Sequence, residues 1–153
     1  MSEHKGVWVF SENKDLMLEL LGKGSELTNR LRGELAAVLL GCNIKNSAKE
    51  LIGYGANKVY VVDYPLFKAF HAEPYASALT YLAQQYKPEV LLIGSTRRGK
   101  ELASRVATRL ETGCVPDCTQ LSVDEKGELL MSRVVYGGNA IATEVCRVKP
   151  QIA

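Results

Sequence analysis

The sequence predicts an α/β fold in which a doubly wound parallel sheet is followed by an appended antiparallel β meander. Short apolar runs alternate with segments of helical periodicity over the first two thirds of the chain, which is typical of a parallel sheet. The clearest run, Val90 to Ile93, lies between Pro88 and Gly94 and has the composition of a fully buried strand. From Gln120 onward, apolar and polar residues alternate between short turns, which indicates antiparallel strands.

Four strand–helix units follow one another in the first 111 residues. Strands are predicted over 6–10, 34–40, 58–62 and 90–93, and helices over 11–31, 47–54, 74–86 and 98–111. Gly22 and Gly24 interrupt the first helix and allow a kink or a break there. Gly55 ends the second helix and Pro74 begins the third, at positions that these residue types favour. Such units form a parallel sheet with helices on both faces and right-handed crossovers.

The last third of the chain contains three predicted strands, over 120–124, 129–135 and 141–148. Turns are predicted at 125–127 and 136–139, since glycine and asparagine tolerate positive φ. These strands have more apolar residues than a meander on one small domain should leave exposed, so part of this surface is expected to be an interface. Residues 149–153 are expected to form an extended tail with no element of its own.

Composition limits the classes of function. A chain of 153 residues, with 46% hydrophobic and 24% charged residues, is expected to form one globular domain with a substantial core. A net charge of +2 is too small to indicate binding to nucleic acid or to an anionic membrane surface. The N-terminus lacks the apolar segment of a signal peptide, and no apolar run approaches the roughly 20 residues that span a bilayer. We therefore expect no nucleic-acid partner and no membrane partner.

The titratable side chains give no indication of catalysis or of metal binding. The four cysteines form no C-x-x-C pair, and Cys114 and Cys118 have no matching His/Cys pair nearby. We therefore expect incidental thiols of a cytoplasmic protein and no metal site. His4 and His71 have no nucleophile elbow around them, so we predict no catalytic residue. Carboxylates that could line a crevice, but that nothing in the sequence pairs for acid–base chemistry, are Glu12, Asp63 and Asp117.

The loop after the fourth strand is the candidate ligand site, because ligands of open α/β sheets bind at the carboxyl ends of the strands. Its candidate cofactor-binding residues are Gly94, Ser95, Thr96, Arg98 and Gly99. Free amides and the positive dipole end at the start of the next helix favour an anion such as a phosphate. The pattern is also typical of an ordinary strand–helix turn in which Ser95 or Thr96 caps the helix, and such turn and cap roles are common for these residue types. The loop matches neither G-x-x-x-x-G-K-[ST] nor G-x-G-x-x-G, so both interpretations stay open.

Several motifs occur in a fixed order along nearly the whole chain, from Val7 to Ala153. They are Leu91-Leu92-Ile93-Gly94-Ser95-Thr96, Gly99-Lys100-Glu101-Leu102-Ala103-Ser104-Arg105-Val106-Ala107, Leu110-Glu111-Thr112-Gly113, Asp117-Cys118-Thr119, Arg133 with Tyr136-Gly137-Gly138-Asn139-Ala140, and Pro150-Gln151. Together they resemble the N-terminal domain of the electron transfer flavoprotein alpha subunit. The chain departs from that family at Arg97 and Arg98, where small or uncharged residues are usual, and at Ser104, where proline is common.

The resemblance implies a Rossmann-like core of the adenine nucleotide alpha-hydrolase type. It also implies a subunit of an FAD-containing heterodimer that carries electrons from acyl-CoA-type dehydrogenases to an acceptor, and that has no substrate turnover of its own. In this family the C-terminal domain of alpha holds most of the FAD, and the beta subunit holds a second nucleotide, AMP or another FAD. The N-terminal domain is mainly a scaffold that packs against beta, so we expect FAD in the full complex but not on this chain alone.

The resemblance also implies a domain division and an interface. Residues 1–149 are expected to form the scaffold domain, and residues 150–153 to begin a linker to an absent C-terminal FAD-binding domain. Candidate contacts with the beta subunit or with that domain are Arg133, Tyr136, Gly137, Gly138 and Asn139. In the absence of a beta subunit, the same surface would allow a homodimer.

Two other functions occur on related folds. A stand-alone adenine-nucleotide-binding module of the universal-stress-protein type would have a G-x-x-G-x-x-[ST]-like loop, but the next glycine after Gly94 is Gly99. An ATP-consuming ligase or hydrolase would have a Ser-Gly-Gly-x-Asp-Ser type loop after the first strand, where this chain has Ser11-Glu12-Asn13-Lys14. The sequence therefore favours the electron-transfer subunit domain.

Overall fold

Five apolar segments pair into a parallel sheet, and three alternating segments form a separate antiparallel sheet, in a computed structural model that describes residues 3–153. The elements in chain order are β1 (Val7–Phe10), α1 (Lys14–Leu31), β2 (Leu35–Gly41), α2 (Lys45–Gly53), β3 (Lys58–Asp63), α3 (Ala72–Tyr86), β4 (Val90–Ile93), α4 (Arg97–Arg109), β5 (Cys118–Val123), β6 (Leu129–Val135), β7 (Ala140–Glu144) and β8 (Gln151–Ile152). Short 3₁₀ turns lie at Pro65–Lys68 and Tyr136–Gly138. The predicted α/β fold with an antiparallel meander is confirmed.

The parallel sheet has the strand order β3-β2-β1-β4-β8. The strand β1 pairs with β2 on one side and with β4 on the other, where Phe10 lies opposite Ile93. Both β1 and β4 are buried along their whole length, which is why their sequences are continuously apolar. Because the strand order reverses beside β1, the position expected for a ligand crevice lies between the carboxyl ends of β1 and β4.

Alternate residues of the strands contribute to two separate hydrophobic cores. Trp8 and Phe10 of β1 pack in one core with Leu79 of α3, whereas Val7 and Val9 pack in the other core with residues of α1 and α2. Full burial of one such side chain contributes about 1.5–3 kcal/mol to the stability of the fold. The central strands therefore stabilise the packing of the helices on both faces. Because side chains alternate between the two faces of the sheet, each central strand contributes to both cores.

The first helix is continuous, so the kink that the sequence allowed at Gly22 and Gly24 is absent. Gly24 is buried against the sheet, and a Cβ there would lie 2.5 Å from Leu35 Cδ1 and 3.2 Å from Val9 Cγ1. Gly22 faces open space, with no atom within 4 Å of such a Cβ. The glycine at position 24 therefore permits close packing of α1 on the sheet and does not interrupt the helix.

The meander packs one face on the second core and leaves the other face exposed. Leu129 and Met131 are fully buried in the core that also contains Leu21 of α1. The turn between β5 and β6 is stabilised by Asp124 Oδ1, which accepts hydrogen bonds from the backbone N–H groups of Lys126 and of residue 128. The three predicted antiparallel strands are confirmed, although β7 ends at residue 144 and not at 148.

The end of the chain forms a strand, so the expectation of a tail with no element of its own is wrong. The residues of β8 pair in parallel with Val90 and Leu91 of β4, and both Gln151 and Ile152 are fully buried. The side-chain amide of Gln151 donates to the Cys146 carbonyl at 2.7 Å, and its oxygen accepts from the Leu129 backbone N–H at 3.1 Å. Gln151 therefore connects the parallel sheet to the meander. A two-residue strand is too short to produce a periodic pattern in the sequence.

No helix within residues 3–153 is both long enough and apolar enough to cross a bilayer.

The Gln151 contacts generate a prediction about stability. Gln151→Leu should lower the free energy of unfolding by about 2–4 kcal/mol, because the Leu129 N–H and the Cys146 carbonyl lose their partners in a buried setting. Gln120→Leu, at an exposed position of β5, should change it by less than about 0.5 kcal/mol. Guanidinium unfolding of the three proteins measures both effects. Equal stability of the Gln151 variant and the original protein would contradict the assigned role.

Candidate functional site

The candidate site lies where β1 and β4 end side by side. Gly94 follows β4, and its backbone N–H donates to the Phe10 carbonyl of β1 at 2.9 Å. A Cβ on Gly94 would lie 2.6 Å from Ser11 Oγ and 2.6 Å from Leu16 Cδ2. A glycine is therefore required here by packing, because the loop after β1 lies directly against it.

The loop from Gly94 to Gly99 forms a capped strand–helix turn. The backbone N–H of Thr96 donates to the Gly94 carbonyl at 2.8 Å, and Thr96 Oγ1 accepts from the Gly99 N–H at 2.9 Å. Thr96 is thus the N-cap of α4, which confirms one of the two residues proposed for that role. A Cβ on Gly99 would lie 1.9 Å from the Gly94 carbonyl oxygen, so only glycine fits at that position.

Two carboxylates from other loops contact the hydroxyl groups of this turn. The Thr96 hydroxyl donates to Glu12 Oε1 at 2.5 Å, and the Ser95 hydroxyl donates to Asp117 Oδ1 at 2.7 Å. Lys100, in the first turn of α4, donates to the same Asp117 carboxylate at 3.1 Å. Negative charge near a helix N-terminus is stabilised by the helix dipole, whether it belongs to a side chain or to a phosphate. The chain's own carboxylates therefore lie where an anionic ligand would be expected.

Both carboxylates disfavour a second anion at this position. The hydrogen bond from Ser95 and the contact with Lys100 hold the pKa of Asp117 below its ordinary value, so this side chain is charged at neutral pH. The other oxygen of Glu12, Oε2, is buried and has no hydrogen-bond partner among residues 3–153. A phosphate placed beside Thr96 would add negative charge next to an acceptor that already lacks a donor.

The two arginines of the loop, Arg97 and Arg98, are exposed. The guanidinium of Arg98 lies over the ring of Phe70, 5.1 Å from the ring centroid, which is a cation–π contact. Arg98 therefore contacts the segment before α3, and it forms no hydrogen bond to Ser95 or Thr96. The predicted role of Gly94, Ser95, Thr96, Arg98 and Gly99 in cofactor binding stays a prediction.

The cavities beside the loop are small. One, of about 150 Å³, is lined mainly by apolar side chains such as Leu16, Leu92 and Val115. Another, of about 230 Å³, is lined by Glu12 and Tyr75 among others. Sites for small molecules and cofactors usually measure about 300–1,000 Å³. Both cavities are smaller than this range.

The cysteines are not arranged for nucleophilic chemistry. Burial raises the pKa of the Cys118 thiol to about 11 and also raises that of Cys146, so both are protonated at neutral pH. All four cysteines are free thiols. Within residues 3–153, no three His, Cys, Asp or Glu side chains converge in a way that would hold a metal ion.

The predicted partner contacts lie together at the tip of a projecting hairpin, which we call the β6–β7 hairpin (residues 129–144). Tyr136 is 83% exposed, and the turn from Tyr136 to Asn139 has positive φ at its first three residues, as predicted for a tight turn. The Asn139 side-chain amide donates to the Tyr136 carbonyl at 2.9 Å. Most residues of β7 are exposed, including Ile141, which lies opposite Val134. The hairpin therefore presents an apolar surface that this chain does not cover within residues 3–153.

Glu12 and Asp117 are predictable from the sequence as crevice residues, but their partners Thr96, Ser95 and Lys100 are not. Glu12 and Thr96 are 84 positions apart, and only the pairing of β1 with β4 brings them together. The available signal was positional, since both Glu12 and Thr96 follow strands that end at the same edge of one sheet. The contacts of Gln151 could not be predicted for a similar reason, because they depend on the pairing of β8 with β4.

A family model described as the electron transfer flavoprotein domain matches residues 7–153. The chain belongs to this family. The electron transfer flavoprotein subunit alpha of Thermoanaerobacterium thermosaccharolyticum is 43% identical and is matched over 100% of this chain and 48% of its own length. That of Clostridium acetobutylicum is 45% identical over 99% of this chain and 47% of its own length. The acryloyl-CoA reductase electron transfer subunit beta of Anaerotignum propionicum is 35% identical over 98% of this chain and 49% of its own length.

The chain thus spans about half the length of these curated relatives, and the region corresponds to the N-terminal domain of the alpha subunit. The resemblance stated from the sequence motifs is confirmed, and so is the Rossmann-like fold class. The universal-stress-protein alternative is not favoured by these matches.

The close contact at Gly99 generates a second prediction. Gly99→Ala should lower the free energy of unfolding by about 3 kcal/mol or more, because the added Cβ meets a backbone oxygen that cannot move without shifting β4 or α4. Gly22→Ala is the matched control and should raise the stability by about 0.5–1 kcal/mol, because alanine loses less backbone entropy in a helix and its Cβ meets no atom there. Denaturant unfolding measures both changes. If Gly99→Ala were as stable as the original protein, α4 would not begin in contact with β4.

Proposed function

We propose that this chain is the N-terminal scaffold domain of an electron transfer flavoprotein alpha-type subunit. It packs against a beta-type subunit within an FAD-containing heterodimer that carries electrons from acyl-CoA-type dehydrogenases to an acceptor. The domain turns over no substrate of its own. Two relatives support an electron-transfer role by their names, which are electron transfer flavoprotein subunit alpha and acryloyl-CoA reductase electron transfer subunit beta.

The observation that best supports this proposal is the exposure of the β6–β7 hairpin. An antiparallel sheet normally buries one face on a core and leaves the other face solvated. In β7 no residue is fully buried, and Ile141 is 71% exposed. Exposed apolar patches on a soluble domain indicate a protein interface. We therefore assign Tyr136, Gly137, Gly138 and Asn139 to the contact with the beta-type subunit.

The carboxylates at the crevice support a scaffold role for this domain in preference to a nucleotide-binding role. Open α/β sheets bind ligands at the switch point, where this chain places the carboxylates of Glu12 and Asp117. We propose that FAD is bound by the remainder of an alpha-type subunit, and that this domain alone holds no flavin. We place the start of the linker to that FAD-binding domain after β8, because Gln151 and Ile152 belong to the sheet.

We also propose the cytoplasm as the compartment of this protein. The four free cysteines suit a reducing environment, in which structural disulfides are rare.

The proposal predicts a measurable association through the β6–β7 hairpin. The 153-residue chain, mixed with a beta-type subunit from the same source, should form a 1:1 complex in sedimentation-velocity and titration experiments. Ile141→Asp should weaken this complex at least about tenfold, or 1.4 kcal/mol, because a charge replaces an apolar contact in the interface. Ile52→Asp, at a 48% exposed position of α2, is the matched control and should leave the affinity unchanged.

Two results would contradict the proposal. The first is a chain that stays strictly monomeric at high concentration and does not bind the beta-type subunit. The second is an equal loss of affinity in the Ile52 variant, which would place the contact elsewhere. Self-association that Ile141→Asp abolishes would indicate that the same surface forms a homodimer when no beta-type subunit is present.

A further inference from the structure

Arg133 lies in the middle of β6 and has no partner in the part of the chain that the structure describes. It is opposite Cys118 of β5 and Ala142 of β7 in the strand register. Its Nε atom is buried and donates to no acceptor, and no carboxylate of residues 3–153 lies within 4 Å of its guanidinium nitrogens. Asp117 is near enough for its charge to interact with that of Arg133, but it accepts its hydrogen bonds from Ser95 and Lys100 and none from Arg133.

The surroundings of Arg133 make this arrangement costly for the isolated domain. Side chains two residues apart on a strand share a face, so Arg133 continues the row that begins with the buried Leu129 and Met131. A guanidinium has five N–H donors, and leaving buried donors without acceptors is unfavourable. The residues on either side of it across the sheet, Cys118 and Ala142, provide no charge. An external acceptor would remove this cost.

We propose that Arg133 binds a carboxylate of the beta-type partner subunit, on the face of the β6–β7 hairpin opposite to Val134 and Ile141. This inference rests on the proposed function, because it names the chemical group of the same partner. An arginine pairs with a carboxylate through two parallel N–H···O hydrogen bonds, which matches a partly buried guanidinium whose donors are unused. Arginine and tyrosine are also the residues that most often dominate interface affinity, and Tyr136 is exposed on the same hairpin.

A carboxylate is favoured over a phosphate for this contact. Phosphate sites usually combine several donors, often with a helix N-terminus. Near Arg133 the first turn of α4 is already bonded to carboxylates, and Asp117 would repel a doubly charged phosphate more strongly than a single carboxylate.

The test compares the affinities of Arg133 variants for the beta-type subunit by isothermal titration. Arg133→Met should weaken the complex by about 30-fold or more, as expected when one member of a desolvated ion pair is removed. Arg133→Lys should weaken it less, since it keeps the charge but not the two-pronged geometry. Arg30→Met is the matched control: it alters an exposed arginine in the last turn of α1 and should leave the affinity unchanged.

A second measurement separates an interface role from a structural one. The thermal midpoint of the free Arg133→Met chain should be equal to or higher than that of the original chain, because an unpartnered buried donor is removed. Arg133→Glu should abolish binding, and a scan of Asp and Glu to Arg changes on the partner should restore binding at one position.

The outcomes of these experiments distinguish a failure of the proposed function from a failure of the inference about Arg133. If the original chain does not bind the beta-type subunit, the proposed function fails. If it binds, and Ile141→Asp weakens the complex while Arg133→Met does not, only the inference about Arg133 is overturned. The inference is also overturned if Arg133→Met lowers the thermal midpoint and Arg133→Lys loses as much affinity as Arg133→Met. Binding of inorganic phosphate or FAD to the free chain that depends on Arg133 would overturn it as well, since the anion would then be a phosphate.

Discussion

The close approach of α4 to the end of β4 is the constraint on which the remaining features of this end of the molecule depend. Because a Cβ on Gly99 would lie 1.9 Å from the Gly94 carbonyl oxygen, only glycine allows α4 to begin this close to the end of β4. That position makes Thr96 the N-cap and brings its hydroxyl within hydrogen-bond distance of Glu12 in the loop after β1. The turn is a capped strand–helix turn, and two side-chain carboxylates lie beside its hydroxyl groups.

A consequence of this arrangement is a division of roles between the two ends of the domain. At the switch point of the parallel sheet, where related folds bind nucleotides, the carboxylates of Glu12 and Asp117 accept hydrogen bonds from the loop hydroxyls. The meander, which is connected to the sheet by the buried amide of Gln151, projects a hairpin with an unpaired arginine and exposed apolar residues. The chain belongs to the electron transfer flavoprotein domain family, and we propose that the sheet positions this hairpin for a protein partner.

Most of the fold was predictable because its signals are local. The four strand–helix units follow from apolar runs such as Val90 to Ile93 and from helical periodicity, and the meander follows from alternation. The missed features depend on contacts distant in sequence: β8 has only two residues, and the contact of Glu12 with Thr96 spans 84 positions. The possible kink at Gly24 was wrong because a glycine in a helix also permits close packing, which only the position of Leu35 reveals. Arg133 was named only through the family resemblance, and its lack of a partner is visible only in the folded chain.

The central claim is that this domain positions a partner and binds no nucleotide at its switch point. Isothermal titration of the chain with AMP, ADP and FAD tests this claim most directly. The account predicts no measurable heat with any of the three, because the carboxylates of Glu12 and Asp117 oppose a phosphate beside Thr96. A dissociation constant below about 10 μM, equivalent to about −7 kcal/mol, that is lost in Gly94→Val and Arg98→Ala would contradict it and would make the loop a nucleotide-binding site.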